Sequence, residues 1–134
     1  MSEMQYESCV DVVVIGGGFA GLAAGIEARR AGASVLLVEK MARPGGNSII
    51  SDGGMNAAGS RLQKALGIDD APERMVQDML KAGQGLNSPS LARAVAENAV
   101  ATLEWAQDFL GVKFSVGWPG VWHRDHQGRG PCRG

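Results

Sequence analysis

A glycine-rich turn at residues 16–21 constrains this chain more than any other feature of its sequence. Residues 9–15, just before it, are mostly β-branched and apolar, which predicts a buried strand with both faces covered. Residues 19–31 are rich in alanine and predict a helix that Gly32 ends. Residues 34–38 predict a second strand. This order predicts a βαβ unit with a right-handed crossover, and therefore an α/β fold.

Three glycines in the turn have the GxGxxG spacing of a dinucleotide-binding motif. Gly16 allows the tight turn, Gly18 lets the backbone approach a pyrophosphate, and Gly21 permits close packing of helix on strand. Phe19 and Ala20 open the helix, whose free N–H groups and positive end favour phosphates. The sequence therefore predicts a phosphate site at the N-terminus of this helix.

An acidic residue follows the second predicted strand. The Glu39 carboxylate is expected to accept hydrogen bonds from ribose hydroxyls, as the acidic residue of this motif does. Its negative charge repels a 2′-phosphate, so NADP is disfavoured. NAD and FAD are both compatible with the βαβ unit.

Charge and cysteine usage exclude several other classes of function. The net charge is −1 and no dense basic stripe is present, so neither nucleic acid nor an anionic membrane is expected as a partner. Cys9 and Cys132 lie at opposite ends of the chain, and no thiol or carboxylate cluster joins His123 and His126, so no metal site is predicted. Residues 1–9 are expected to be flexible. They lack a targeting signal, which predicts a cytoplasmic protein.

Helices and loops are predicted for the rest of the chain. Residues 71–81 favour a helix capped by Asp69 or Asp70, and residues 88–110 favour a longer one capped by Ser88. Irregular structure is expected from Gly111 onward. The apolar stripe predicted for the longer helix is Leu91, Val95, Ala99, Leu103, Ala106 and Leu110.

A second group of glycines and small residues distinguishes between the two cofactors. Residues 39–58 contain the motifs GGNS at 45–48 and DGGMNAA at 52–58. This stretch resembles the flavoprotein subunits of the fumarate reductase and succinate dehydrogenase family. The resemblance is strongest to the soluble branch of flavocytochrome c fumarate reductases, urocanate reductases and ketosteroid dehydrogenases. It implies FAD contacts along this stretch, and with the turn the expected set is Gly16, Gly18, Phe19, Ala20, Gly21, Glu39, Lys40, Gly46, Asn47, Ser48, Gly53, Gly54 and Met55.

One departure from the family bears on how FAD is held. The membrane-bound complexes of the family attach FAD covalently through a histidine in this loop. Aligning the sequence on residues 53–56 places Asn47 at that position. Because asparagine cannot form the histidyl link, FAD is expected to bind non-covalently.

The resemblance extends to the end of the chain and implies a larger enzyme. His123 and Arg124 look like the family's His-Arg element near the flavin, and a purely structural loop is the alternative. The complete enzymes of the family also have a capping domain, which carries substrate contacts and a proton-donating arginine, and a late glycine-rich turn. We therefore expect residues 10–134 to be the N-terminal part of an FAD-binding domain with an incomplete Rossmann-like fold. No catalytic residue is assigned.

Two functions are compatible with this sequence. The first is the FAD-binding segment of a flavin-dependent oxidoreductase that acts on CH–CH bonds, with a small-molecule substrate only in the complete enzyme. The alternative is a non-catalytic fragment or half-module, which needs a complementing chain or self-association to complete the flavin site. A natural truncation, an engineered piece and half of a split enzyme all remain open.

Overall fold

The computed structural model describes residues 9–51, 53–116 and 122–124. The chain divides into two compact units, Met1–Ser51 and Asp52–Gly134. Most of the N-terminus expected to be flexible lies outside the described residues, as do Trp118, His126 and Cys132. No helix among the described residues has the length and apolar content needed to cross a bilayer.

The first unit is a strand, a helix and a second strand, as the sequence predicts. Strand β1 (Val12–Ile15) is followed by helix α1 (Phe19–Arg30) and strand β2 (Val35–Val38), and a short 3₁₀ helix follows at Gly46–Ile50. The two strands pair in parallel, with Val12 opposite Val35 and the register kept through to the last residue of each strand. The carboxyl ends of both strands therefore lie side by side.

Strand β1 begins later than predicted because Asp11 bonds to Ser34 across the start of the sheet. The Asp11 carboxylate accepts the Ser34 N–H at 2.8 Å and the Ser34 hydroxyl at 2.6 Å, and the Asp11 N–H donates to Ser34 Oγ at 2.9 Å. The hydrogen bond from the Ser34 hydroxyl is the main cause that lowers the pKa of Asp11, and the bond from the Ser34 backbone N–H lowers it further. This pair fixes where the strands start.

Within the first unit, as far as the structure describes it, one face of the two-stranded sheet is covered. Helix α1 packs on the face that carries Val14, which is buried. The opposite face, here called the open sheet face, consists of Val13, Ile15, Leu36 and Val38, with Val13 54% and Ile15 87% exposed. The prediction that both faces are covered is therefore wrong for the first unit taken by itself, where α1 packs on one face.

The second unit is mainly helical. Helices α2 (Arg61–Ala65), α3 (Pro72–Ala82) and α4 (Pro89–Glu104) are followed by a π-helical turn at Trp105–Phe109. Its core has two clusters. One is Val76 with Ala92 and Ala96, against which Met75 and Met79 pack, and the other is Ala57 with Ala99 and Leu103.

The buried face of α4 differs from the predicted stripe. Ala92 and Ala96 are buried together with Ala99 and Leu103, whereas Leu91 is 68% and Val95 is 53% exposed. The small alanine side chains let α3 approach closely, which favours this face over its larger neighbours. The change to π geometry after Glu104 also ends the α-helix earlier than predicted.

Helix α3 begins after Ala71 and not after Asp69 or Asp70. Asp70 is engaged elsewhere: one carboxylate oxygen accepts the Ala71 N–H and the other accepts Gln63 Nε2, both at 2.8 Å. Gln63 is buried, and its Oε1 accepts the Gly59 N–H at 2.6 Å. This buried amide holds together the loops on either side of α2.

The segment after Gly111 is not wholly irregular. Strands β3 (Phe114–Val116) and β4 (Trp122–Arg124) form an antiparallel pair, with Ser115 opposite His123. The prediction of irregular structure is therefore wrong for these residues, because β-branched and aromatic residues recur at positions that can pair.

Candidate functional site

The glycine turn joins β1 to α1 at the carboxyl edge of the first unit's sheet. The Gly16 N–H donates to the Val38 carbonyl at 2.8 Å, which extends the strand pairing by one bond. Gly16 has φ +98°, a conformation that favours glycine. A Cβ atom at Gly21 would overlap the Gly16 carbonyl oxygen and lie 3.2 Å from Val14 Cγ1. This is the close packing that the sequence predicts for the third glycine of the motif.

Gly18 differs from its neighbours because the protein leaves space beside it. It has φ −74° and ψ −176°, which any residue can adopt. A Cβ atom there would meet no atom nearer than the Gly45 carbonyl oxygen at 4.0 Å. The packing of the turn therefore does not require a glycine at this position.

Gly17 is a tightly packed residue of the turn that the motif does not single out. It occupies a variable position of GxGxxG, yet it is buried. A Cβ atom at Gly17 would lie 2.8 Å from Pro44 Cβ and 3.2 Å from Glu39 Oε2. In the sequence, the one indication that Gly17 is special is that a glycine occurs where the motif accepts any residue.

The second glycine cluster contacts the turn directly. The Gly45 N–H donates to the Gly17 carbonyl at 2.8 Å, and Ser48 Oγ accepts the Phe19 N–H at 3.3 Å. Gly46 has φ +50°, and a Cβ atom there would lie 3.5 Å from Gly18 Cα. The loop that carries Gly46, Asn47 and Ser48 therefore lies against the N-terminus of α1.

Glu39 lies beside the same turn and is fixed by two backbone groups. Its Oε2 accepts the Gly17 N–H at 2.7 Å, and its Oε1 accepts the Met41 N–H at 2.9 Å. The bond from Gly17 is the main cause that lowers the pKa of Glu39, and the bond from Met41 adds to it. The carboxylate is therefore ionised at neutral pH, and each oxygen keeps a second lone pair for another donor.

An open cleft of about 640 Å³ lies between the turn, the end of β2 and the second loop. Its volume is in the range of small-molecule and cofactor sites. Glu39, Lys40 and Arg43 give it charged groups of both signs. The full lining is Ile15, Gly16, Gly18, Val38, Glu39, Lys40, Met41, Arg43, Pro44, Gly46, Asn47 and Ile49.

The structure brings most, though not all, of the predicted site residues together. Phe19, Ala20 and Gly21 form the first turn of α1 next to the cleft, and Phe19 is exposed. Gly53, Gly54 and Met55 belong to the second unit. There Gly53 has φ +82°, and Met55 packs against the cluster of Ala57, Ala99 and Leu103. Their contact with a flavin stays a prediction.

Four apolar residues and one cation that line the cleft were not predicted from the sequence. Ile15, Val38, Met41 and Ile49 contribute aliphatic surface, and Arg43 contributes a second positive charge besides Lys40. Their places in the sequence could have indicated these lining residues, because they flank the two glycine clusters at the ends of β1 and β2.

Comparison with known proteins gives consistent matches. The sequence profile of a family described as "FAD binding domain" matches residues 11–133. NADH:fumarate oxidoreductase from Klebsiella pneumoniae (strain 342) is 52% identical over 98 residues, which are 73% of this chain and 11% of that protein. Fumarate reductase (cytochrome) from Shewanella frigidimarina is 45% identical over 96 residues, 72% of this chain and 17% of that protein.

A solved structure shows the same similarity in three dimensions. The 3-ketosteroid-Δ4-(5α)-dehydrogenase from Rhodococcus jostii RHA1, in complex with 4-androstene-3,17-dione, superposes with a TM-score of 0.80 and 29% sequence identity. The match covers 96% of this chain and 33% of that one. The chain thus spans a third or less of the length of each of these three proteins.

Proposed function

Because this chain belongs to the FAD binding domain family, we propose that its first unit holds the ADP part of FAD in a Rossmann-like arrangement. The observation that supports this most directly is the open space beside Gly18, between the N-terminus of α1 and the ionised Glu39. A phosphate group fits such a space because no protein atom fills it and the positive N-terminal end of α1 lies beside it.

Each part of the cleft suits one part of the nucleotide. Ser48 Oγ accepts the Phe19 N–H at 3.3 Å. The N–H groups that follow it in the first turn of α1 have no partner within the helix and would bind the pyrophosphate, assisted by the helix dipole. The free lone pairs of Glu39 would accept ribose hydroxyls, and Lys40 adds a positive charge beside the phosphates. The apolar lining formed by Met41 and Ile49 suits the less polar parts of the cofactor.

We further propose that the complete protein is an oxidoreductase of the fumarate reductase type, acting on CH–CH bonds of a small molecule. Bound FAD would supply the hydride chemistry, while this chain positions the cofactor and excludes a 2′-phosphate. Gly53, Gly54 and Met55 would extend the site toward the flavin ring. We expect a cytoplasmic location for this protein.

A second function is favoured by the open sheet face. Its four aliphatic side chains are exposed in the first unit, where a layer of helices ordinarily covers a parallel sheet. The chain would then be a half-module whose flavin site is completed by another polypeptide or by a second copy. Turnover by the purified 134-residue chain as a monomer would contradict this alternative.

Competition binding tests the cofactor assignment. The chain is titrated with FAD while flavin fluorescence is followed, and ADP, AMP, FMN and 2′,5′-ADP are then added as competitors. We expect ADP to displace FAD and FMN to fail, because the ribose and pyrophosphate contacts lie in the first unit. 2′,5′-ADP should compete more poorly than AMP, which has the same single 5′-phosphate, because its 2′-phosphate meets Glu39. Absence of FAD binding, or equal competition by FMN, would contradict the proposal.

The mode of attachment has its own test. Asn47 lines the cleft and its amide cannot form a covalent bond to the flavin, so we propose non-covalent binding. Trichloroacetic acid should release all of the flavin into the supernatant. Yellow colour that remains in the washed pellet would refute non-covalent binding without affecting the assignment of FAD.

A further inference from the structure

Glu39 bonds to the glycine turn in a way that ribose recognition does not require. Its Oε2 accepts the N–H of Gly17 at 2.7 Å, and the other oxygen accepts the N–H of Met41. A carboxylate that served the ribose alone would need neither of these bonds.

The peptide groups on both sides of Gly17 are held by the protein. Its N–H is bound by Glu39, its carbonyl accepts the Gly45 N–H at 2.8 Å, and Pro44 leaves no room for a side chain. The next residue, Gly18, faces open space. Within the turn, Gly17 is therefore held by the protein, and Gly18, which follows it, is exposed to the cleft.

We infer that Glu39 is a positioning residue for the phosphate-binding turn, in addition to its proposed contact with the ribose. By holding the Gly17 N–H, it fixes the backbone that presents Gly18 and the first turn of α1 to a pyrophosphate. This inference rests on the proposed function, because it assumes that the cleft binds the ADP part of FAD. It adds a contact that the GxGxxG motif does not specify.

Two substitutions separate this role from the charge of Glu39. Glu39→Gln removes the negative charge and keeps one acceptor oxygen, whereas Glu39→Ala removes both. Both variants lose the negative charge, and this loss alone should strengthen the binding of an anion equally in both. Any difference between them in the binding of inorganic pyrophosphate, which has no ribose, therefore reports on the acceptor.

The experiment uses the ¹⁵N-labelled 134-residue chain and its two variants. Binding of pyrophosphate, ADP and FAD is followed through the amide signals of the glycine turn, and amide exchange at Gly17 is measured without ligand. We expect E39A to bind pyrophosphate about five- to tenfold more weakly than E39Q, the effect of one hydrogen bond. The Gly17 amide should be protected in wild type, partly protected in E39Q and unprotected in E39A.

The possible failures have different meanings. A wild-type chain that binds neither ADP nor FAD contradicts the proposed function itself. If the wild-type chain binds ADP, three results would overturn the inference about Glu39. These are equal pyrophosphate affinity in E39Q and E39A, no response of any chain to pyrophosphate, and a Gly17 amide that is still protected in E39A. If circular dichroism shows that E39A does not fold, Glu39→Asp replaces it. Because that variant keeps the charge, it is compared with wild type and not with E39Q. Its side chain is one methylene shorter, so it should lose protection at Gly17 and bind pyrophosphate more weakly than wild type.

Discussion

Substitution of Gly18 by alanine should leave the first unit folded and greatly weaken its affinity for FAD. The backbone angles at Gly18 are allowed for alanine, and the new methyl group would meet no protein atom within van der Waals contact. Loss of the glycine N-cap of α1 should cost from a few tenths to about 1 kcal/mol. The reduced freedom of the unfolded chain should return about 0.4–1 kcal/mol. The net change in the free energy of unfolding is therefore expected to be within about 0.5 kcal/mol.

The effect on the cofactor should be much larger. The methyl group would lie in the cleft, where the pyrophosphate is expected to approach the backbone. Displacing the phosphate from even one N–H group would remove a charge-assisted hydrogen bond worth about 1.5–3 kcal/mol. This corresponds to a dissociation constant for FAD that is raised about 10- to 150-fold.

Urea unfolding followed by circular dichroism, together with FAD titration, would measure both quantities. Gly25→Ala is the matched control, because Gly25 lies in the same helix and a Cβ there would make ordinary contacts at 3.7 and 3.9 Å. That variant should be more stable by up to about 1 kcal/mol and should bind FAD normally. A Gly18→Ala chain with unchanged affinity would refute the argument that this glycine serves the ligand.

Three further predictions concern stability. Gly21→Ala should lower the free energy of unfolding by about 1–3 kcal/mol because its methyl group overlaps backbone atoms of the turn, and the urea midpoint should shift accordingly. Hydrogen bonds in the fold lower the pKa values of Asp11 and Glu39. Their contribution to the free energy of unfolding is therefore complete above the ordinary pKa values of 3.8 and 4.5, and it is lost as the pH falls through the lower pKa values of the folded state. The thermal unfolding midpoint should therefore decrease as the pH is lowered from about 4.5. Asp11→Asn should make this decrease less steep, and an unchanged slope in that variant would contradict the prediction. Gln63→Leu should cost about 1–3 kcal/mol because buried partners lose their hydrogen bonds, whereas Leu at the exposed Gln77 should have little effect in the same urea assay.

The sequence predicted the first unit well because its signals are local. β-branched runs, an alanine-rich segment and three glycines at fixed spacing specify β1, α1 and the turn, and the resemblance to the fumarate reductase family is confirmed. The register between the strands depends on contacts distant in sequence. The bond between Asp11 and Ser34 is one of these, so the start of β1 was predicted three residues too early.

Predictions failed where partners come from elsewhere in the chain. The buried face of α4 contains Ala92 and Ala96, and nothing in its own pattern ranks small residues above Leu91 and Val95. Their burial follows from the approach of α3. In the same way, Gly17 is identified only by its contacts with Pro44 and Glu39, because the motif treats its position as variable.

The open sheet face has a consequence for the synthesis of this protein in cells. Val13, Ile15, Leu36 and Val38 form an exposed aliphatic surface, and the sheet that carries it has two strands and therefore unpaired outer edges among the described residues. Newly made chains that expose such surfaces and edges associate with one another at high concentration, and chaperones act on them. The yield of folded protein should therefore depend on the rate of translation and on chaperone supply. The first unit by itself must therefore be kept dilute or chaperoned until this surface is covered.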